Sequence, residues 1–147
     1  MITKRDMIVA ALTMGLTASA MFANSKVNIM DSAIFEWNDI EVKPTKTGAV
    51  RTFFRSQTAT LDELECHVTT LNPGDSSHPP HKHPEEEIII IKEGNVEALV
   101  NGQMKRVGPG SVIFQASNQM HSIKNVGTTP TTYHVFSWHS PGTMEKR

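Results

Sequence analysis

Residues 73–94 read PGDSSHPPHKHPEEEIIIIKEG, and the rest of the chain is arranged about them. His78, His81, His83 and the run Glu85-Glu86-Glu87 crowd together between two β signals, HVTTL before Pro73 and the isoleucines of 88–91 after the glutamates. His81 and His83 are two apart, so an extended backbone sends both imidazoles out from one face. That spacing suits two ligands of a single metal ion. A second block, QMHSIKNVG, sets His121 and Asn125 downstream. Regular strand parity would put Glu85 and Glu87 on the face of the two histidines and Glu86 on the other, but Pro84 interrupts the count.

The flanking sequence reads as short strands. Residues 64–71 form one, closed by Asn72-Pro73-Gly74. Residues 88–91 show no alternation, the pattern of a strand buried on both faces. Residues 96–100 pair with 103–107 across Asn101-Gly102, a strong two-residue hairpin signal. Strands at 111–114, 121–123 and 131–139 complete the set. Upstream, 34–37 and 50–55 are β-prone pieces expected to cover an edge or the outside of the main sheet, and 58–63 is a turn or loop. Helical periodicity is nearly absent, so the class is an all-β sandwich or barrel.

The chain has 147 residues, a length that favours one domain. Residues 1–23 read as a signal peptide: Lys4-Arg5 opens it, 8–22 is largely apolar, and Ala18-Ser19-Ala20 is a cleavage signal with Ala23 as the alternative end. The stretch TKRDMI resembles a twin-arginine signal with lysine for the first arginine. The expected location is therefore periplasmic or secreted, by the general secretory or a twin-arginine-like route, with no stable membrane anchor after cleavage. Cleavage removes Lys4, Arg5 and Asp6 and moves the net charge from −1 to about −2. No basic patch runs along the chain, which argues against a nucleic-acid partner. Cys66 is the single cysteine, so no internal disulfide forms, and its mid-strand place gives it a small apolar role. The expected division is 1–23 signal peptide, 24–63 strands and loops covering the barrel, 64–139 the barrel, and 140–147 a flexible tail.

Taken together, the two blocks resemble the paired motifs of the cupins. Gly74, His81, His83, Glu87 and Gly94 fill the first motif, and Gly102, Pro109, His121 and Asn125 the second. The resemblance implies a double-stranded β-helix, a jelly-roll-like barrel, over residues 64–138. It implies His81, His83, Glu87 and His121 as metal ligands, Glu87 being selected by its spacing to Gly94. Three imidazoles and a carboxylate suit divalent Mn, Fe, Co, Ni or Zn. Folding around the metal before export favours Mn or Fe. Four protein ligands leave coordination positions open, as catalytic sites do.

The resemblance further implies a small-molecule substrate, with oxygenase-type chemistry the first expectation among dioxygenase, isomerase, decarboxylase and hydrolase activities. A non-catalytic small-ligand-binding module is the alternative. It also implies a homodimer, with 88–91, Phe35, Trp37 and Trp138 available for the contact. Glu86, His67 and His134 are the candidates for catalysis or substrate contact, Gln115 and Gln119 in the loop before His121 are further ones, and His78 is assigned to a surface loop.

Overall fold

The computed structural model describes residues 29–143. The signal-peptide reading of 1–23 and the end of the tail lie outside the described residues. Within them run a 3₁₀ turn at Trp37–Asp39 and the strands β1 (Lys43–Thr45), β2 (Gly48–Ser56), β3 (Glu63–Leu71), β4 (Glu86–Glu93), β5 (Val96–Val100), β6 (Gln103–Val107), β7 (Val112–Gln115), β8 (Ser122–Asn125) and β9 (Thr131–His139). Every strand pair is antiparallel. One sheet has the order β1-β2-β3-β9-β4-β7 and the other β6-β5-β8. Together they make the jelly-roll barrel that the sequence predicts.

Local chemistry accounts for the joints. Asn101 and Gly102 turn with φ of 52° and 74°, the paired positive angles of a type I′ turn, so β5 folds directly back on β6. Gly94 sits at φ 80°, and a Cβ there would lie 2.8 Å from the Thr131 backbone, so only glycine lets the β4–β5 turn pass the start of β9. Asn125 is fully buried and completely satisfied. Its Nδ2 donates to the carbonyls of Leu71 (3.0 Å) and Thr129 (2.8 Å), and its Oδ1 accepts from the Gly127 amide (2.9 Å).

The core lies between the sheets: Leu71, Ile89, Ile91, Val96, Ala98, Ile113, Ile123, Tyr133 and Val135. The isoleucine run departs from the sequence reading here. It is not buried on both faces: Ile89 and Ile91 are in the core, whereas Ile90 is 37% exposed on the outer face beside Val112. An antiparallel sheet needs only one face covered, and β-branched residues suit the open face as well as the closed one.

The N-terminal segment covers another part of that outer face. Phe35 packs against Phe54 with ring centroids 5.1 Å apart, and Trp37 packs against Phe53 at 6.2 Å. Arg51 and Lys92 stand over the Trp37 ring at 4.6 Å and 4.0 Å. Phe35 and Trp37, expected at a subunit contact, thus pack within their own chain. β2 covers the edge of β3 by pairing with it, and β1 in turn pairs with β2.

Ile91→Ala is expected to cost about 2–5 kcal/mol, and Ile90→Ala no more than about 1 kcal/mol. Urea denaturation of the two variants beside the parent protein measures both; equal losses would restore the doubly buried reading.

Candidate metal centre

The segment after β3 lies along the inner sheet and is fastened to it by two isolated bridges, Ser76 with Lys124 and His81 with His121. In the second bridge the His81 amide donates to the His121 carbonyl (3.0 Å) and the His121 amide to the His81 carbonyl (2.9 Å). Asn118 then ties the loop before His121 to the His83 carbonyl (2.8 Å). The two sequence blocks are thereby brought together. Ring centroids of His81 and His121 are 4.6 Å apart, of His83 and His121 4.8 Å, and of His81 and His83 5.4 Å. One potential ligand atom from each of the three lies within 4.8 Å of the others.

The rings are oriented by backbone. The Nδ1 of His81 contacts the Pro79 carbonyl (3.1 Å), that of His83 the Glu85 carbonyl (3.2 Å) and that of His121 the Gln119 carbonyl (2.8 Å). A carbonyl only accepts, so each Nδ1 carries a hydrogen, which leaves Nε2 as the ring nitrogen that a metal would take. His121 Nε2 is buried without a partner. His83 Nε2 instead lies 3.4 Å from Glu87 Oε1. Glu87 is therefore beside the imidazole cluster and lines the same cavity, although the cluster itself contains only histidines. The donor set fits a divalent ion of mixed N/O preference.

The cavity measures about 250 Å³. Its lining also carries His67, Thr69, Ser77 and Tyr133, and among the described residues neither lysine nor arginine lines it. His67 Nδ1 is 3.0 Å from Glu65 Oε1, and Glu65 is in turn 3.7 Å from Arg55. The hydrogen bond from His67 holds the Glu65 carboxyl below its ordinary range, against the opposing pull of burial. Burial pushes the Tyr133 hydroxyl up to about 12, with the Ser77 and Thr69 hydroxyls opposing the shift, so Tyr133 stays protonated at neutral pH.

The other histidines and glutamates divide differently from the sequence reading. His78 stays in an exposed loop, as expected, but that loop folds over the cavity and brings its ring to 5.3 Å from His81; partial burial, seconded by His81, pushes its pKa down. His134 faces outward and packs against Trp37 and Phe53, because residues 132, 134 and 136 of β9 lie on the face opposite Tyr133 and Val135. Glu86 lines a separate hollow with Pro84, Asn118, Trp138 and His139. Glu85, which strand parity put on the face of the histidines, reaches His83 Nδ1 at 3.2 Å. Gln115 is not in the loop but ends β7, directly across from Glu87. Cys66 is buried on the outer side of β3, and burial raises its thiol pKa, which leaves it no nucleophilic role. Missed altogether was the Glu65–His67 pair. Its i, i+2 spacing on one strand face was the available signal.

Residues 67–137 match the Cupin_2 domain family. The fold is a cupin fold. A dimethylsulfoniopropionate lyase, DddQ, from Ruegeria pomeroyi is 36% identical over 64 residues, which are 43% of this chain and 31% of that protein, so the match spans about a third of its length. A predicted oxalate decarboxylase from Thermotoga maritima superposes with a TM-score of 0.59 at 23% identity, covering 73% of this chain and 99% of that one. The cupin domain of an XRE-family transcriptional regulator from Enterobacter cloacae does so with a TM-score of 0.53 at 22% identity, covering 63% and 95%. The cupin frame is thus shared by quite different proteins, and what this one does has to be argued from its own side chains.

In long-range ¹H–¹⁵N spectra of the metal-free protein at pH 8, His81, His83 and His121 are expected to show the Nδ1–H tautomer. An Nε2–H signal from His121 would remove the basis for reading it as a ligand.

Proposed function

We propose that the chain is an exported, metal-dependent enzyme acting on a small organic molecule in the cavity between the imidazole cluster and His67. The observation that carries this reading is the convergence of His81, His83 and His121 with each Nδ1 facing a carbonyl and Glu87 alongside. His81, His83, Glu87 and His121 would hold the ion. When bound, a divalent metal supplies positive charge to polarise a substrate oxygen.

The chain's own residues do the rest. His67, with Nδ1 occupied by Glu65, keeps Nε2 for a proton on the substrate, and the carboxylate steadies the imidazolium that results. Tyr133 serves as a hydrogen-bond donor and not as a base, because its hydroxyl stays protonated. With no lysine or arginine among the described residues of the lining, an anionic substrate group has only the metal ion to pair with. The cavity volume, about 250 Å³, suits a small organic molecule.

A carboxylate-backed imidazole in the same cavity as the ligands favours proton-transfer chemistry, an elimination or isomerisation, over the oxygenase reaction expected from the resemblance. The lyase relative supports that preference, and dimethylsulfoniopropionate is accordingly the first compound to try. Mn or Fe is our proposal for the ion, on the mixed donor set and the export signal read in residues 1–23. The alternative, a ligand-binding module without turnover, draws support from the regulator domain that shares this fold.

Elemental analysis of protein purified from an exporting host is expected to find about one Mn or Fe per chain, lost in the His81→Ala/His83→Ala variant; equal trace metal in both would sink the metal reading. His67→Gln is expected to keep the metal and lose about 10²–10⁴-fold in turnover of whichever compound a dimethylsulfoniopropionate-cleavage and oxygen-uptake screen identifies. Ligand binding that survives chelation, without turnover, would select the binding module.

A further inference from the structure

Among the described residues three buried side-chain nitrogen or oxygen atoms lack a hydrogen-bond partner: His121 Nε2, Gln115 Nε2 and His139 Nδ1. The first is accounted for by the metal reading. The second is not. Gln115 is 2% exposed, and its amide is a donor taken out of water without compensation, at a cost of about 1–3 kcal/mol. A leucine or methionine would fill the same space without that cost.

The partner available to it is Glu87. The two are register partners across β4 and β7, and residues directly opposite in an antiparallel pair share a face with Cβ atoms about 4.5–5.5 Å apart. That face is the inner one, since Ile113 and Ile89, two register pairs along and so on the same face, are both in the core. Glu87 has 16% of its side chain exposed, and the one side-chain contact it makes is with His83 at 3.4 Å. A carboxylate only accepts, and it has two oxygens. A buried donor with nothing to bond and a neighbouring carboxylate with an oxygen to spare are complementary.

We propose that Gln115 is a positioning residue for Glu87: its amide N–H donates to one carboxylate oxygen and so presents the other to the imidazole cluster. The proposal rests on the metal reading above. It gives the carboxylate ligand the same kind of support that the Pro79, Glu85 and Gln119 carbonyls give the three histidines. Outer hydrogen bonds of this kind hold metal ligands in one orientation and raise affinity.

The test is Mn²⁺ binding to the purified, metal-stripped protein by titration calorimetry, on the parent, Gln115→Leu, Glu87→Ala and the double variant. Gln115→Leu is expected to weaken Mn²⁺ binding about 10–100-fold. In the Glu87→Ala background the same change is expected to alter affinity by no more than about 2-fold, because the group through which Gln115 acts is gone. Thermal melts of the metal-free proteins should show Gln115→Leu as stable as the parent or more so. If that variant does not fold, the similarly shaped Gln115→Met replaces it and is expected to weaken Mn²⁺ binding as well, since a thioether has no hydrogen to donate.

Parent-like affinity in Gln115→Leu, or an equal loss in both backgrounds, would overturn the proposal and leave the metal reading standing. Failure of the parent to bind Mn²⁺, Fe²⁺ or Co²⁺ would overturn both.

Discussion

Two backbone hydrogen bonds between His81 and His121, at 3.0 and 2.9 Å, hold the site together. They join segments forty residues apart, so the barrel must already have brought β8 under the proline-rich loop before the bridge can close. Once closed, it puts two imidazoles side by side without any contribution from their side chains. His83 follows because it stands two residues on from His81 and its carbonyl receives the Asn118 amide. Pro79 and Pro80 contribute by restricting the backbone on approach, so that the bridge is reached with fewer conformations to give up.

The same extended backbone sets the chemistry of the rings. Each of the three Nδ1 atoms meets the carbonyl of a residue two positions away: Pro79 for His81, Glu85 for His83, Gln119 for His121. For His81 and His121 the orienting partner is local main chain; His83 has both the Glu85 carbonyl and the Glu85 carboxylate beside its Nδ1. For the first two, the Nδ1–H tautomer is thus a property of chain direction. For His67 the orienting partner is a side chain, Glu65. The difference matters, because a carboxylate stabilises a charged imidazole and a carbonyl does so much less. The clustered histidines are turned toward one another by local contacts, whereas His67 has a carboxylate behind its ring.

Much of this was legible in the residues, and the exceptions have physical reasons. The β5–β6 hairpin and β9 fall at the expected positions because Asn-Gly turns and alternating strands are local signals. The spacing of His81, His83 and His121 announced the cluster. Burial was harder to see. Four consecutive isoleucines cannot say which of them meets solvent, since period-2 alternation is invisible when every position is the same; only the open outer face of β4 exposes Ile90. His134 alternates with Tyr133 and Val135, and which side of β9 faces the cavity is decided by β3 and β4 on either side of it. His78 and Gln115 depended on loop path and strand end, where single-sequence boundaries are weakest.

Polar groups in the second motif separate structure from function. Asn125 is wholly buried, and its amide makes three hydrogen bonds that tie the end of β3 to the turn before β9. Nothing remains for a ligand, so its part is architectural. His121, four residues earlier and 4% exposed, has one ring nitrogen bonded to Gln119 and the other to nothing. A fold that satisfies Asn125 so completely has no general difficulty in pairing buried polar atoms. The unpaired Nε2 of His121 is thus best explained by a partner the polypeptide does not supply, whereas the unpaired amide of Gln115 has a carboxylate, Glu87, directly across the sheet from it.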